Sequence, residues 1–259
     1  MKRNKKKSLK KAPVFLLVVA AVLLLASTVG STQAALTYYS DNYSAQVTVS
    51  NIGVTLLENG SKISSRNYIG GDKLWDTTTG NLLTNMLSEG ENLVLGKDYT
   101  EKLTVKNSGA IDSYVRVILT KSWQNADKKE TALDPKLIEL HEVEGSGWLK
   151  DKNASTDERI VLYYSNALGV DKETSPCIDA ISINPAIGTK VTETRQTVDG
   201  GTKITYTYAY NGYTFNVEAE VDAVQTHNAK DAIKSAWGVD VTVDEEKGTI
   251  SLVTETSAE

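Results

Sequence analysis

The sequence predicts an all-β protein, a single antiparallel β-sandwich with one or two short helices, and three observations predict it. Apolar and polar residues alternate with period two through most of the chain after residue 35. Asn-Gly and Gly-Gly turn signals separate the alternating runs. No strand–helix–strand rhythm of the kind that builds parallel sheets is visible. At 259 residues, 40% apolar and 24% charged, the chain lies in the globular range. It is long enough to bury a core without covalent staples, and a sandwich can take that length as one unit.

Residues 1–34 read as a signal peptide. Seven cations, Lys2, Arg3, Lys5, Lys6, Lys7, Lys10 and Lys11, precede an uninterrupted apolar run from Val14 to Ala26. Small and polar residues follow, which completes the basic, hydrophobic and small-residue order of an export signal. Cleavage is expected between Ala34 and Ala35, with Thr32 two residues upstream of Ala34. The apolar run is shorter than the ~20 residues a membrane span needs. Membrane contact is therefore expected only through the leader, before cleavage. Loss of the leader leaves 21 basic residues against 33 acidic ones, a net charge of −12. A surface of that sign stays soluble and repels nucleic acid, so no nucleic-acid partner is expected.

Residues 35–259 form the predicted sandwich. Gln46–Leu57 alternates, and its phase flips at Asn51, which predicts a bulge there. Asn59-Gly60 predicts a hairpin into a strand from Ile63. Residues 70–92 predict a long loop holding one short helix around Leu82–Leu87. Lys102–Lys106 and Tyr114–Trp123 predict two strands, the second with Val115, Val117 and Leu119 on one face and Arg116 and Thr120 on the other. Val191–Thr197 is expected to turn at Asp199-Gly200-Gly201 into a Tyr-rich strand. Asn211-Gly212 predicts a type I′ hairpin that sets Tyr210 against Tyr213, Tyr208 against Phe215 and Tyr206 against Val217. A helix is expected over Ala229–Trp237, capped by Asn228 and stopped by Gly238. Strands at Val239–Val243 and Thr249–Val253 follow, and residues 254–259 are expected to fray.

Residues capable of chemistry are few. Cys177 is the sole cysteine, so no intramolecular disulfide forms, and it reads as a small buried apolar residue. His141-Glu142 begins like a zinc helix motif, but the second His of H-E-x-x-H is missing and His227 lies far along the chain. Asp151, Asn153, Ser155 and Asp157 repeat oxygen ligands at alternate positions as a calcium loop does, yet Thr156 and Leu162 replace the Gly and Glu that such a loop requires. No nucleophile elbow, phosphate loop or dinucleotide fingerprint occurs. The expectation is a protein without catalytic, metal or cofactor residues. All twelve Tyr lie after the leader against one Phe, Phe215, and they read chiefly as core and rim positions.

Two stretches carry a family resemblance. GSTQAALTYYSD (30–41) resembles the export signals handled by the SipW-type signal peptidase. LTVKNSGAIDSYVRVILTKSW (103–123), led by Gly96-Lys97-Asp98-Tyr99, resembles the V-x-N-x-G-x-x-x-x-Y-V-R-V segment of the TasA/camelysin family. The resemblance implies a sandwich of jelly-roll type, secreted from a Gram-positive-type bacterium and built into extracellular fibres of a biofilm matrix. It implies assembly by donor strand, either with itself or with a related secreted subunit. The donor would be residues 35–43, with Leu36, Thr37, Tyr38, Tyr39 and Tyr43 in the assembly contact. Two alternatives stand beside it: a camelysin-like metallo-endopeptidase, and a monomeric cell-surface adhesin or ligand-binding module.

Overall fold

The computed structural model describes residues 51–70, 74–126, 128–189, 191–198, 201–208 and 210–253. The cleavage position at Ala34 and Ala35, the expected donor residues Leu36, Thr37, Tyr38, Tyr39 and Tyr43, and the tail 254–259 lie outside the described residues.

β1 (Gly53–Glu58) and β2 (Ser61–Tyr68) form the hairpin expected at Asn59-Gly60. Asn59 and Gly60 have φ of 51° and 81°, the paired left-handed conformation of a type I′ turn, whose twist matches that of the flanking strands. The bulge expected at Asn51 adjoins residues 46–50, which lie outside the described residues; a register irregularity does occur between Leu56 and Leu57. β3 (Trp75–Thr78) pairs with the far side of β2 and was not foreseen. The short helix expected around Leu82–Leu87 does not form. Leu83 takes a left-handed φ of 63° and gives its N–H to Glu58 Oε1 at 2.7 Å, which a helical turn would not allow.

β4 (Tyr99–Asn107) and β5 (Ser113–Asn125) are the two strands read from alternation, each longer than expected. β6 (Lys128–Glu130), β7 (Ile138–Glu142), β8 (Trp148–Lys150), β9 (Arg159–Tyr164) and β10 (Ile178–Ile183) follow. β11 (Val191–Val198) and β12 (Gly201–Tyr208) pair from Val191↔Tyr208 to Val198↔Gly201, as the Gly-Gly turn signal required.

β13 (Tyr213–Gln225) overturns the predicted Tyr hairpin. Its partner is β5, in thirteen pairs from Tyr213↔Asn125 to Gln225↔Ser113, so Phe215 faces Trp123 and Val217 faces Lys121. A turn does form, with the Tyr213 N–H donating to the Tyr210 carbonyl at 3.1 Å. Of its two central residues only Gly212, at φ 83°, is left-handed, so the turn is not of type I′ and leads the chain out of the β11–β12 ribbon. Pairing with β5 buries Val217, Val221 and Val224. Pairing with β12 would have left them on an isolated ribbon, which is marginal in water.

Two antiparallel sheets result, one in the order β3-β2-β1-β4-β10-β7 and one in the order β13-β5-β9-β8 with β6 also beside β5. Val54, Leu56, Leu103, Val105 and Ile181 of the first share one core with Val115, Val117, Leu119, Leu162 and Val217 of the second. This is the predicted sandwich. The second sheet is also covered on its outer face, by α1 (Ala229–Trp237) and by a ribbon of β14 (Val241–Asp244) with β15 (Thr249–Leu252). Tyr114, Ile118, Val161 and Tyr163 pack there against Ile233, Val241 and Ile250. The face of β5 that carries Arg116 and Thr120 is therefore largely covered, not free. Asn228 precedes α1 at φ 54° without a side-chain cap; its Nδ2 donates to Asp231 Oδ2 at 3.2 Å. Gly238 ends the helix at φ 74°, as expected. Ile233 is 0% exposed and anchors the helix layer. Ile233→Ala is expected to cost about 3 kcal/mol in urea unfolding, since it leaves a cavity under a short helix.

Candidate functional site

The open edge of the second sheet is the principal feature. Among the described residues β13 pairs with β5 alone, so one row of its backbone N–H and C=O groups points away from the sheet. Between that edge and β2 runs a groove of about 600 Å³. Leu56, Ile63 and Leu82 line one side, and Val217, Ala219 and Val221 line the other. Alternation along β13 sends Val217, Ala219 and Val221 toward the core while Glu218 and Glu220 take the polar face. The groove thus sets six apolar side chains, within an otherwise largely polar lining, beside a strand edge unpaired among the described residues, a combination that can accept an added strand.

A second hollow of about 340 Å³ shares Arg66 and Glu220 with the groove and is lined also by Ile52, Trp75, Ala223 and Trp237. Arg66 crosses here from β2 to β13: its Nη1 lies 2.9 Å from Asp222 Oδ1, while Arg116 Nη2 lies 2.5 Å from Asp222 Oδ2. The Arg66 guanidinium sits 4.7 Å from the Trp75 ring and that of Arg116 5.3 Å from the Trp237 ring. One carboxylate held between two indole-backed guanidiniums ties the first sheet to the edge of the second.

The 103–123 segment, which carries the family resemblance, is a structural corner. Asn107 is 0% exposed; its Nδ2 donates to the carbonyls of Ile111 and Leu168, both at 2.8 Å, and its Oδ1 accepts from the Gly109 N–H at 2.9 Å. Gly109 is required because a Cβ there would lie 2.5 Å from the Asn51 carbonyl oxygen and the Gly53 nitrogen. Tyr114, Val115 and Val117 are core residues, and Arg116 serves Asp222.

The residues singled out for chemistry are dispersed. His141 Nε2 lies 3.1 Å from Ser182 Oγ and 3.6 Å from Asp98 Oδ1. A nucleophile triad needs the hydroxyl and the carboxylate on opposite ring nitrogens; here both meet the same one, so the cluster cannot relay a proton in that way. His227 lies beyond β13, on another hollow beside Asp112 and Tyr114. Among the described residues no three His, Cys, Asp or Glu side chains converge as metal ligands. Asp151 Oδ1 accepts from the N–H groups of Asn153 and Ala154, so it closes a β8–β9 turn. Cys177 is buried, and desolvation pushes its thiol up to about 12, far from nucleophilic use. Lys121 is buried on β5 with its Nζ donating to the Ile138 carbonyl, and burial lowers its pKa.

The Tyr residues divide. Tyr99, Tyr114 and Tyr163 are core, as expected, but Tyr206 is 56% and Tyr208 46% exposed on the β12 ribbon. Sequence reasoning missed a buried acidic pair. Glu58 and Glu101 are 5% and 2% exposed, and the signal was their parity: Glu58 continues the inward series of Val54 and Leu56, and Glu101 that of Leu103 and Val105. Among the described residues no helix is long and apolar enough to cross a membrane. Comparisons with family models, with curated proteins and with solved structures find no significant match.

Proposed function

We propose that this chain is a secreted structural subunit of an extracellular matrix or fibre. Copies assemble head to tail when residues 35–43 of one add as a strand to β13 of the next. The observation that supports this reading is the thirteen-residue edge of β13, unpaired among the described residues, beside a groove that carries Leu56, Ile63, Leu82, Val217, Ala219 and Val221. A nine-residue donor extends about 30 Å at ~3.3 Å per residue, within the length of that edge. Main-chain hydrogen bonds would hold it, and Leu36 and Tyr38 would offer same-face contacts to the floor formed by Val217, Ala219 and Val221. A head-to-tail contact of this type does not close on itself and propagates as a filament.

In this reading a SipW-type peptidase removes residues 1–34 during export from a Gram-positive-type bacterium, and the cut frees the donor. The sandwich is then of jelly-roll type, and the partner is a second copy or a related secreted subunit. The test compares chain 35–259 with a version lacking 35–43 by electron microscopy and light scattering. Filaments are expected from the first, and a folded monomer from the second. Filaments from both overturn the donor role; a monomer at every concentration from the first overturns assembly.

The Tyr-bearing ribbon favours a second reading, a surface adhesin. Ile204, Tyr206 and Tyr208 expose one face of β12. Ligand binding by a chain that stays monomeric would select it.

A further inference from the structure

Glu58 ends β1, and Glu101 lies on β4 two residues before Leu103, the register partner of Glu58. Both face inward at one end of the core. Glu101 Oε2 accepts from Asn59 Nδ2 at 2.9 Å, and Glu58 Oε1 accepts the Leu83 N–H at 2.7 Å. Among the described residues the groups around the pair offer no compensating cation. On β4 Lys102 is exposed, its N–H bonded to Asn59 Oδ1 at 2.9 Å. On β2 Lys62 is exposed. From the 79–98 connection Leu82, Leu83, Met86 and Leu87 pack on the core, while Glu91 is paired with Lys97 at 2.7 Å. Among the described residues neither Glu58 nor Glu101 makes a salt bridge. Burial, and then the charge of Glu58, pushes Glu101 up to about 7.

What the pair holds is part of the groove. Residues 79–82 line it, and Leu83 follows directly. Two anchors place that wall. Gly80 lies so close to β2 that a Cβ on it would fall 2.4 Å from the Ile63 carbonyl oxygen. Leu83, in a left-handed conformation that a bulky residue adopts at a cost, is held through its N–H by Glu58.

We propose that Glu58 and Glu101 form a proton-operated clasp on the β13 groove: a proton on the pair keeps the 79–83 wall seated, and its loss releases the wall and weakens strand docking. When Glu101 ionises, its charge is added close enough to that of Glu58 to be repelled by it, in a poorly solvated site. The repulsion is relieved when Glu58 turns toward water, and that movement drops the Leu83 N–H. The coupling to docking rests on the assembly reading; the clasp itself does not.

The test follows hydrogen exchange at the Leu83 amide of chain 35–259 across the neutral range, corrected for intrinsic exchange and referenced to Leu119 in β5. Protection at Leu83 is expected to fall roughly tenfold as the pH rises through the Glu101 transition, and to stay flat in Glu101→Gln. A flat profile in the unmodified chain, or the same fall in the variant, overturns the clasp. Light scattering on the same samples reads docking separately. Assembly that weakens with rising pH in the unmodified chain but not in Glu101→Gln supports the coupling. Assembly with the same pH dependence in both overturns the coupling while the exchange result stands. No assembly at any pH overturns the function reading and leaves the clasp to be judged on exchange alone.

Discussion

Asn107→Ala is expected to destabilise the domain by about 3 kcal/mol, read as a lower urea midpoint with an unchanged slope. The side chain is fully buried and makes three bonds to backbone: its loss strands the Ile111 carbonyl, while the Leu168 carbonyl keeps the Ser113 N–H at 3.1 Å and the Gly109 N–H keeps the Gly53 carbonyl at 3.1 Å. A buried group left without a partner costs about 1–3 kcal/mol, and each of the other two lost bonds about 0.5–1 kcal/mol. Asn107→Asp is expected to fare no better at neutral pH, because it sets an anion against two carbonyl oxygens. A loss below about 1 kcal/mol for Asn107→Ala would show that the corner is held by its backbone bonds, Asn107 N–H to Lys172 C=O and Asp171 N–H to Asn107 C=O.

Glu101→Gln is expected to act in the opposite direction, and only above a certain pH. In the folded chain the Glu101 carboxyl is raised from 4.5 to about 7, chiefly by burial and then by the Glu58 charge. Between those two values the folded state keeps a proton that the unfolded state releases. Stability therefore falls as pH rises through that window and levels off above it. At about 1.4 kcal/mol per unit, the wild-type loss amounts to about 3 kcal/mol. Glutamine carries no such titration and keeps an oxygen for Asn59 Nδ2. The stability gap between variant and wild type is expected to widen by about 3 kcal/mol from acid to mildly alkaline pH. Parallel stability–pH curves for the two proteins would sink this account.

Both residues were within reach of sequence reasoning to different degrees. Asn107 stands in a recognisable N-x-G segment, and Gly109 beside it advertises a close backbone approach. What it bonds to at Leu168 lies 61 residues away and no local pattern points there. Glu101 and Glu58 each share parity with a buried apolar series, so their inward direction was legible. Their meeting was not, because it depends on the pairing of β1 with β4. The proposed donor segment 35–43 rests on the family resemblance of residues 30–41 and 103–123, whereas the groove proposed to receive it exists only once two sheets stack.

The two Asn-Gly turns show where local information ends. At Asn59-Gly60 both residues are left-handed and the hairpin closes with Glu58 opposite Ser61. At Asn211-Gly212 the same dipeptide makes a turn, but the strands on either side go to different partners. The sequence by itself determined the alternation, the turn positions, the helix 229–237 with its Gly238 stop, and the all-β class, because each depends on neighbours a few residues apart. Tertiary structure alone decided that β13 leaves the Tyr ribbon for β5, that the outer face of the second sheet is covered, and that β13 stands at an edge among the described residues. The physical reason is that strand pairing is won by whichever partner buries the most, and that sum includes residues a hundred positions away.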